Sequence, residues 1–138
     1  MAKTIIPLAG SMAKTGLFSG RLAFSDGVKV SRGEMVFVTG QLAFDEGREL
    51  VGKGDIRVQT RQVLENVKSV LGKAGAAFQD IVRVTIFIKE MNDFRKIHDV
   101  RLEYFSEDNL PASTMVEVNA FTHEDALIEI EAIAVIDP

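Results

Sequence analysis

The chain has no cysteine among its 138 residues, so disulfides, thiolate nucleophiles and cysteine-held zinc are all excluded. Long apolar runs are missing too. The opening IIPLAG is too short for a signal-peptide core, and nothing later approaches the ~20 apolar residues of a membrane span. A cytoplasmic protein with no membrane partner is expected. Basic excess is also lacking. Sixteen Lys and Arg face twenty Asp and Glu, and a net charge of −4 argues against a nucleic-acid partner. No G-x-S-x-G elbow occurs, so a hydrolase serine is not indicated.

What is present is an ordinary globular balance, 46% hydrophobic and 26% charged. Without linker or low-complexity tract, residues 1–138 are expected to form one domain, with 1–18 a loosely ordered N-terminal extension. The tetrapeptide MAKT occurs at residue 1 and again at residue 12, and carries no inference.

Periodicity gives the order strand, helix, strand, helix, strand. Val28–Val30 and Glu34–Thr39 flank SRG, a turn signal, and read as hairpin arms. Asp55 is an N-cap for a helix through Ile56, Val63, Val67, Val70 and Ala74, with Gly75 at C′. IVRVTIFIK then alternates, with Val82, Val84, Ile86 and Ile88 on one face. A second helix opens at Asn92 or Asp93 and runs through Phe94, Ile97, Val100 and Tyr104. Pro111 closes the connection to two strands, Thr114–Val118 and Ala126–Ile136. Crossovers of this kind lay both helices on one face of a sheet. The second face is apolar as well, with Met35 and Phe37 opposing Val36 and Val38, so further copies of the chain are expected to cover it.

Two glutamates stand inside the apolar run ALIEIEAIAV, residues 126–135. Alternation puts Glu129 and Glu131 on the same strand face, with Ile128, Ile130, Ala132 and Ala134 on the other. The bland reading is a pair of solvated carboxylates on a half-exposed strand; the other is chemistry. Elsewhere the candidates are weak. GRELVGKGD, residues 47–55, falls one residue short of a phosphate-binding loop: Gly54 replaces the magnesium-binding hydroxyl, and Asp55 repels phosphate. His98 and His123 are far apart, with no carboxylate pattern of a zinc site, and a mid-helix His98 reads first as structural. No metal and no cofactor are expected.

The blocks FVTGQLAFD, QTRQVLENVKSVL, IVRVTIFIKEMNDF and DNLPASTMVEVNAFTHEDALIEIEAIAVI resemble, in order, the YjgF family of reactive intermediate deaminases, or Rid proteins. The older family label is endoribonuclease L-PSP. The resemblance spans about Phe24 to Ile136. It implies a chorismate-mutase-like α+β fold: a mixed sheet with two helices on one face, three copies forming a homotrimeric barrel. It also implies small-molecule clefts between subunits, where enamines and imines are hydrolysed to ketoacids and ammonia.

By the same resemblance Glu129 matches the active-site glutamate, and Gly40 and Thr39 match a backbone and a hydroxyl lining the pocket. Met115, two residues beyond Ser113, joins the substrate-binding set. Other positions depart from the pattern. Ser113, in Pro111-Ala112-Ser113-Thr114, stands where an arginine grips the substrate carboxylate. One hydroxyl cannot supply that charged, bidentate fork, and no other arginine is close in sequence. Phe24 keeps the ring of a family tyrosine without its hydroxyl, and His98 replaces an asparagine. Three functions therefore stay open. These are a deaminase of an enamine, imine or related amino compound other than the standard 2-aminoacrylate type, a non-catalytic binding or regulatory trimer, and, against the net charge, a ribonuclease. With the arginine gone, desolvation is expected to raise the pKa of Glu129.

Overall fold

The computed structural model describes residues 3–8 and 22–137. Asp55 has the extended backbone of an N-cap, and its carboxylate accepts the Val58 N–H at 3.1 Å. The helix it opens, α1 (Ile56–Lys73), buries Ile56, Val63, Leu64, Val67 and Leu71 along one stripe. It ends at Gly75, whose φ of 77° is the left-handed C′ conformation that glycine adopts without strain.

Four strands form the main sheet: β3 (Glu34–Gln41), β4 (Ile81–Ile88), β5 (Ala112–Glu117) and β6 (Ile128–Ile136). Their order is β3-β6-β4-β5, with β6 antiparallel to both neighbours and β4 parallel to β5. The helices lie in the β3–β4 and β4–β5 connections, the second being α2 (Phe94–Arg101). Both contribute to one core with the sheet: Ile97 and Val100 join the α1 stripe against Val84, Ile86, Ile88, Ile128, Ile130 and Ala132. The mixed α+β fold with both helices on one face is as expected. The other face has no cover among the described residues, where Met35 is 59% and Phe37 68% exposed.

The expected hairpin does not form. A short strand β2 (Gly27–Val30) pairs instead with β1 (Lys3–Ile6), while β3 pairs with β6 from Glu34↔Ile136 onward. Between them Gly33 has φ 130°, and a Cβ there would fall 2.5 Å from Val135 Cγ1. SRG is therefore a crossing between sheets pressed against β6. It is not a reversal within one sheet. Lys3–Ile6 belong to the stretch expected as a loose extension; 9–18, with the second MAKT, lie outside the described residues.

Two smaller expectations shift. A bulge between Ile81 and Arg83 inserts an extra residue in β4, so Ile81 reaches the core and Val82 is only half-buried. Helix α2 stops at Arg101, three residues short of Tyr104, and a 3₁₀ turn, Met91–Asp93, precedes it. Tyr104 packs outside the helix, its hydroxyl donating to Glu65 at 2.7 Å.

Candidate functional site

Two side-chain clamps fix the walls of the candidate site. Gln59, fully buried on α1, donates to the Gly52 and Asp125 carbonyls and accepts the Leu127 N–H at 2.8 Å. That ties α1 to the entry of β6. Asn66, two turns on, donates to the Leu42 and Phe44 carbonyls at 2.9 and 2.8 Å, holding the exit of β3. Between these anchors β3 bulges: Val38 pairs with Ala132 but Gln41 with Ile130, so one residue is extra. The bulge contains Thr39 and Gly40.

Glu129 projects beside it. A Cβ at Gly40 would lie 2.8 Å from Glu129 Cδ, so the carboxyl occupies the space where a side chain would stand. Thr39, Gly40 and Glu129 line a cleft of about 550 Å³, together with Asn66, Lys73 and Thr122. Burial pushes the Glu129 carboxyl above its ordinary pKa, and the negative charge of Glu131 pushes it further the same way. Glu131, on the same face, is exposed and faces a separate hollow with Phe37, Arg83 and Thr85.

The remaining sequence-predicted residues gather elsewhere. Ser113 pairs with Val84 and Met115 with Ile86, so both face the helix-covered side of β5, at the opposite sheet edge from β3. Met115 packs against the core. His98 is buried on α2 with its ring stacked on Phe94 at 6.3 Å. Phe24 lies just before β2 and is not among the residues that line the cleft of Thr39 and Glu129. The protomer thus brings together one half, Thr39, Gly40 and Glu129, and keeps the other apart.

At the centre of that second half is a residue sequence reasoning missed. Arg101, the last residue of α2, donates from Nη2 to Ser113 Oγ at 3.0 Å and to the Ala23 carbonyl at 3.2 Å. Its guanidinium carbon stands 5.8 Å from the Phe24 ring centroid and 6.0 Å from that of Phe105. No arginine is close to Ser113 in sequence; one is in contact with it in space. The signal was available: Arg101 falls on the α2 stripe of Phe94, Ile97 and His98, where a cation is out of place. Among the described residues no cluster of three or more metal-ligating side chains occurs, and no helix is long and apolar enough to cross a membrane.

Comparison with known proteins gives the family. The family model described as Endoribonuclease L-PSP matches residues 18–136. A RutC family protein of Pyrococcus abyssi is 42% identical over 128 residues, covering 89% of this chain and 98% of that relative. The 2-iminobutanoate/2-iminopropanoate deaminase of Salmonella typhimurium is 43% identical over 108 residues, 77% of this chain and 83% of its own. Among solved structures, the Rid protein YyfB of Yersinia pestis, described as of unknown function, superposes with a TM-score of 0.84. It is 30% identical, with 99% of this chain and 100% of that one covered. The chain belongs to the Endoribonuclease L-PSP family, the family of the RutC and Rid proteins.

Proposed function

We propose that the chain is a hydrolytic deaminase of enamines or imines, acting as a homotrimer in clefts between subunits. The observation that carries this reading is Glu129: a half-buried carboxyl, raised in pKa, set against a bulge and facing a cleft. A carboxyl tuned toward neutrality both gives and takes a proton. In the reaction an enamine takes a proton on carbon to become the imine. Water then adds across C=N, and the carbinolamine collapses to C=O and ammonia. Glu129 supplies and recovers the proton, and holds the attacking water. Imine and water in, carbonyl and ammonia out, the atoms balance without a cofactor.

Assembly follows from the division of the site. One half lies at the β3–β6 edge and the other at β5, so a cleft containing both needs the β5 edge of a second copy beside the β3 edge of the first. The uncovered apolar face, with Phe37 and Met35 exposed, supports the same conclusion. The deaminase name of the Salmonella relative supports the reaction class. Ser113 separates this chain from members with a carboxylate-gripping fork, so the substrate differs from the standard 2-aminoacrylate type.

The changes at Phe24, His98 and Ser113 favour a second reading, a trimer that binds a small molecule without turning it over. Ammonia release from 2-iminopropanoate, 2-iminobutanoate and 3-aminoacrylate, each generated in situ, decides between them. Acceleration of 3-aminoacrylate above its spontaneous hydrolysis is expected, with that of the two 2-imino acids weak or absent. No acceleration of any leaves the binding reading.

A further inference from the structure

Arg101 is 2% exposed, and no carboxylate among the described residues pairs with it. Of its five N–H donors, those on Nη2 meet Ser113 and Ala23, while Nε has no acceptor among the described residues. Burial alone holds its pKa down to about 10, with no anion raising it. The faces of Phe24 and Phe105 attract the cation but do not neutralise it.

A guanidinium this deep without a counter-charge is an expensive way to fill a helix stripe, since an apolar residue would pack there without desolvation cost. Tying down one carbonyl does not need it either, because a neutral donor would do so. A fixed plane of donors with an unspent charge is suited to an anion.

Ser113 is the way out. It is half-buried where Arg101 is fully buried, and its Oγ accepts from Nη2, so its own O–H is not spent in that bond. Accepting a bond from a cation strengthens a hydroxyl as donor.

We propose that Arg101 and Ser113 form an anion-recognition pair for a small carboxylate ligand. In it the serine hydroxyl makes the contact and the buried guanidinium supplies the charge behind it. This rests on the small-molecule cleft proposed above. Arg101 acts through Ser113 and is a positioning residue. A single charge-backed hydroxyl holds a carboxylate less tightly, and with less directional demand, than a bidentate fork.

The test is calorimetric titration of the full-length protein with 2-oxobutanoate and with its uncharged amide. Wild type is expected to prefer the carboxylate by at least about tenfold. Ser113→Ala and Arg101→Met should each bring that preference close to unity, and Arg101→Lys should keep part of it. If Arg101→Met fails to fold, Ser113→Ala and Arg101→Lys still decide. Equal affinity for the two ligands, no binding of the carboxylate, or a preference that survives Ser113→Ala overturns the proposal and makes Arg101 a structural tie. Because binding is read without turnover, the two readings fail separately. A protein that discriminates but hydrolyses nothing refutes only the deaminase. One that hydrolyses enamines without carboxylate preference refutes only the pair.

Discussion

Gly40 and Glu129 share one space: a Cβ on Gly40 would stand 2.8 Å from Cδ and 3.1 Å from Oε1 of the carboxyl. The obstruction is purely one of room, since Gly40 is not among the glycines held at positive φ. Gly40→Ala should therefore leave the fold intact and push the Glu129 carboxyl off its position. Misplacing a catalytic group by about 1 Å costs on the order of 10²-fold in rate. Turnover should fall by that order while the urea midpoint moves little. An unchanged rate would mean that the carboxyl is not held where the reaction needs it.

Both helices were legible because each rests on a local signal: Asp55 and Gly75 at the ends of α1, and apolar spacing along both. Strand pairing was not. Val28–Val30 and Glu34–Thr39 look like hairpin arms in isolation, but β1 takes the partner edge of one and β6 that of the other. Neither choice is encoded within the turn. The site divides in the same way. Glu129 was visible as a carboxylate out of place on an apolar strand, and Gly40 and Thr39 through the resemblance. The contact of Arg101 with Ser113 depends on how α2 packs over β5, which lies beyond any sequence window.

The raised pKa of Glu129 has a consequence for stability. Burial, then the charge of Glu131, makes the folded protein hold this proton more tightly than the unfolded chain, whose ordinary value is 4.5. Between that value and the raised one the folded state carries more protons, so this group's contribution to stability falls as pH rises. Glu129→Gln removes the titration. The stability of the variant relative to wild type should therefore increase from acidic to neutral pH, read from urea midpoints at both. A difference independent of pH would show that the carboxyl titrates alike folded and unfolded.

Assembly is tested through Phe37. Its ring is 68% exposed on the sheet face that none of the described residues covers. Sedimentation equilibrium should give a trimer at micromolar concentration, as expected of interfaces above roughly 1,200 Å². Phe37→Glu should give monomers that keep their helical circular dichroism. A wild-type monomer would remove the intersubunit cleft altogether.

Restoring an arginine at position 113 is an obvious route to the standard substrate, but the fold opposes it. With Arg101 Nη2 at 3.0 Å from Ser113 Oγ, Ser113→Arg would bring two guanidinium groups together in a buried place. The single substitution should lower the melting temperature and gain no activity on 2-iminopropanoate. Combined with Arg101→Met, which removes the competing charge, it should recover stability and lower KM for that substrate. Gain from the single change alone would show that the two cations do not compete for one space.

Glu129 and Glu131 leave β6 on the same face two residues apart, yet only one of them lines the cleft with Gly40. That makes one the control for the other. Glu129→Gln is nearly isosteric and removes no core contact, because Ile128 and Ile130 point to the opposite, helix-covered side. Its amide cannot accept a proton near neutral pH. Turnover of whichever enamine or imine the protein accepts should drop by roughly 10²–10⁴-fold, the usual worth of a positioned proton-transfer group. Trimer and melting behaviour should be retained. Glu131→Gln takes a charge from an exposed carboxylate and relieves one of the two influences that raise Glu129. Its effect should be small in kcat at the optimum and visible as an acid-ward shift of the rising limb of the pH–rate profile. Equal losses in the two variants would make the carboxylates a coupled pair. If neither variant changed the rate, the proton would have to come from elsewhere, and the cleft would be a place of binding only.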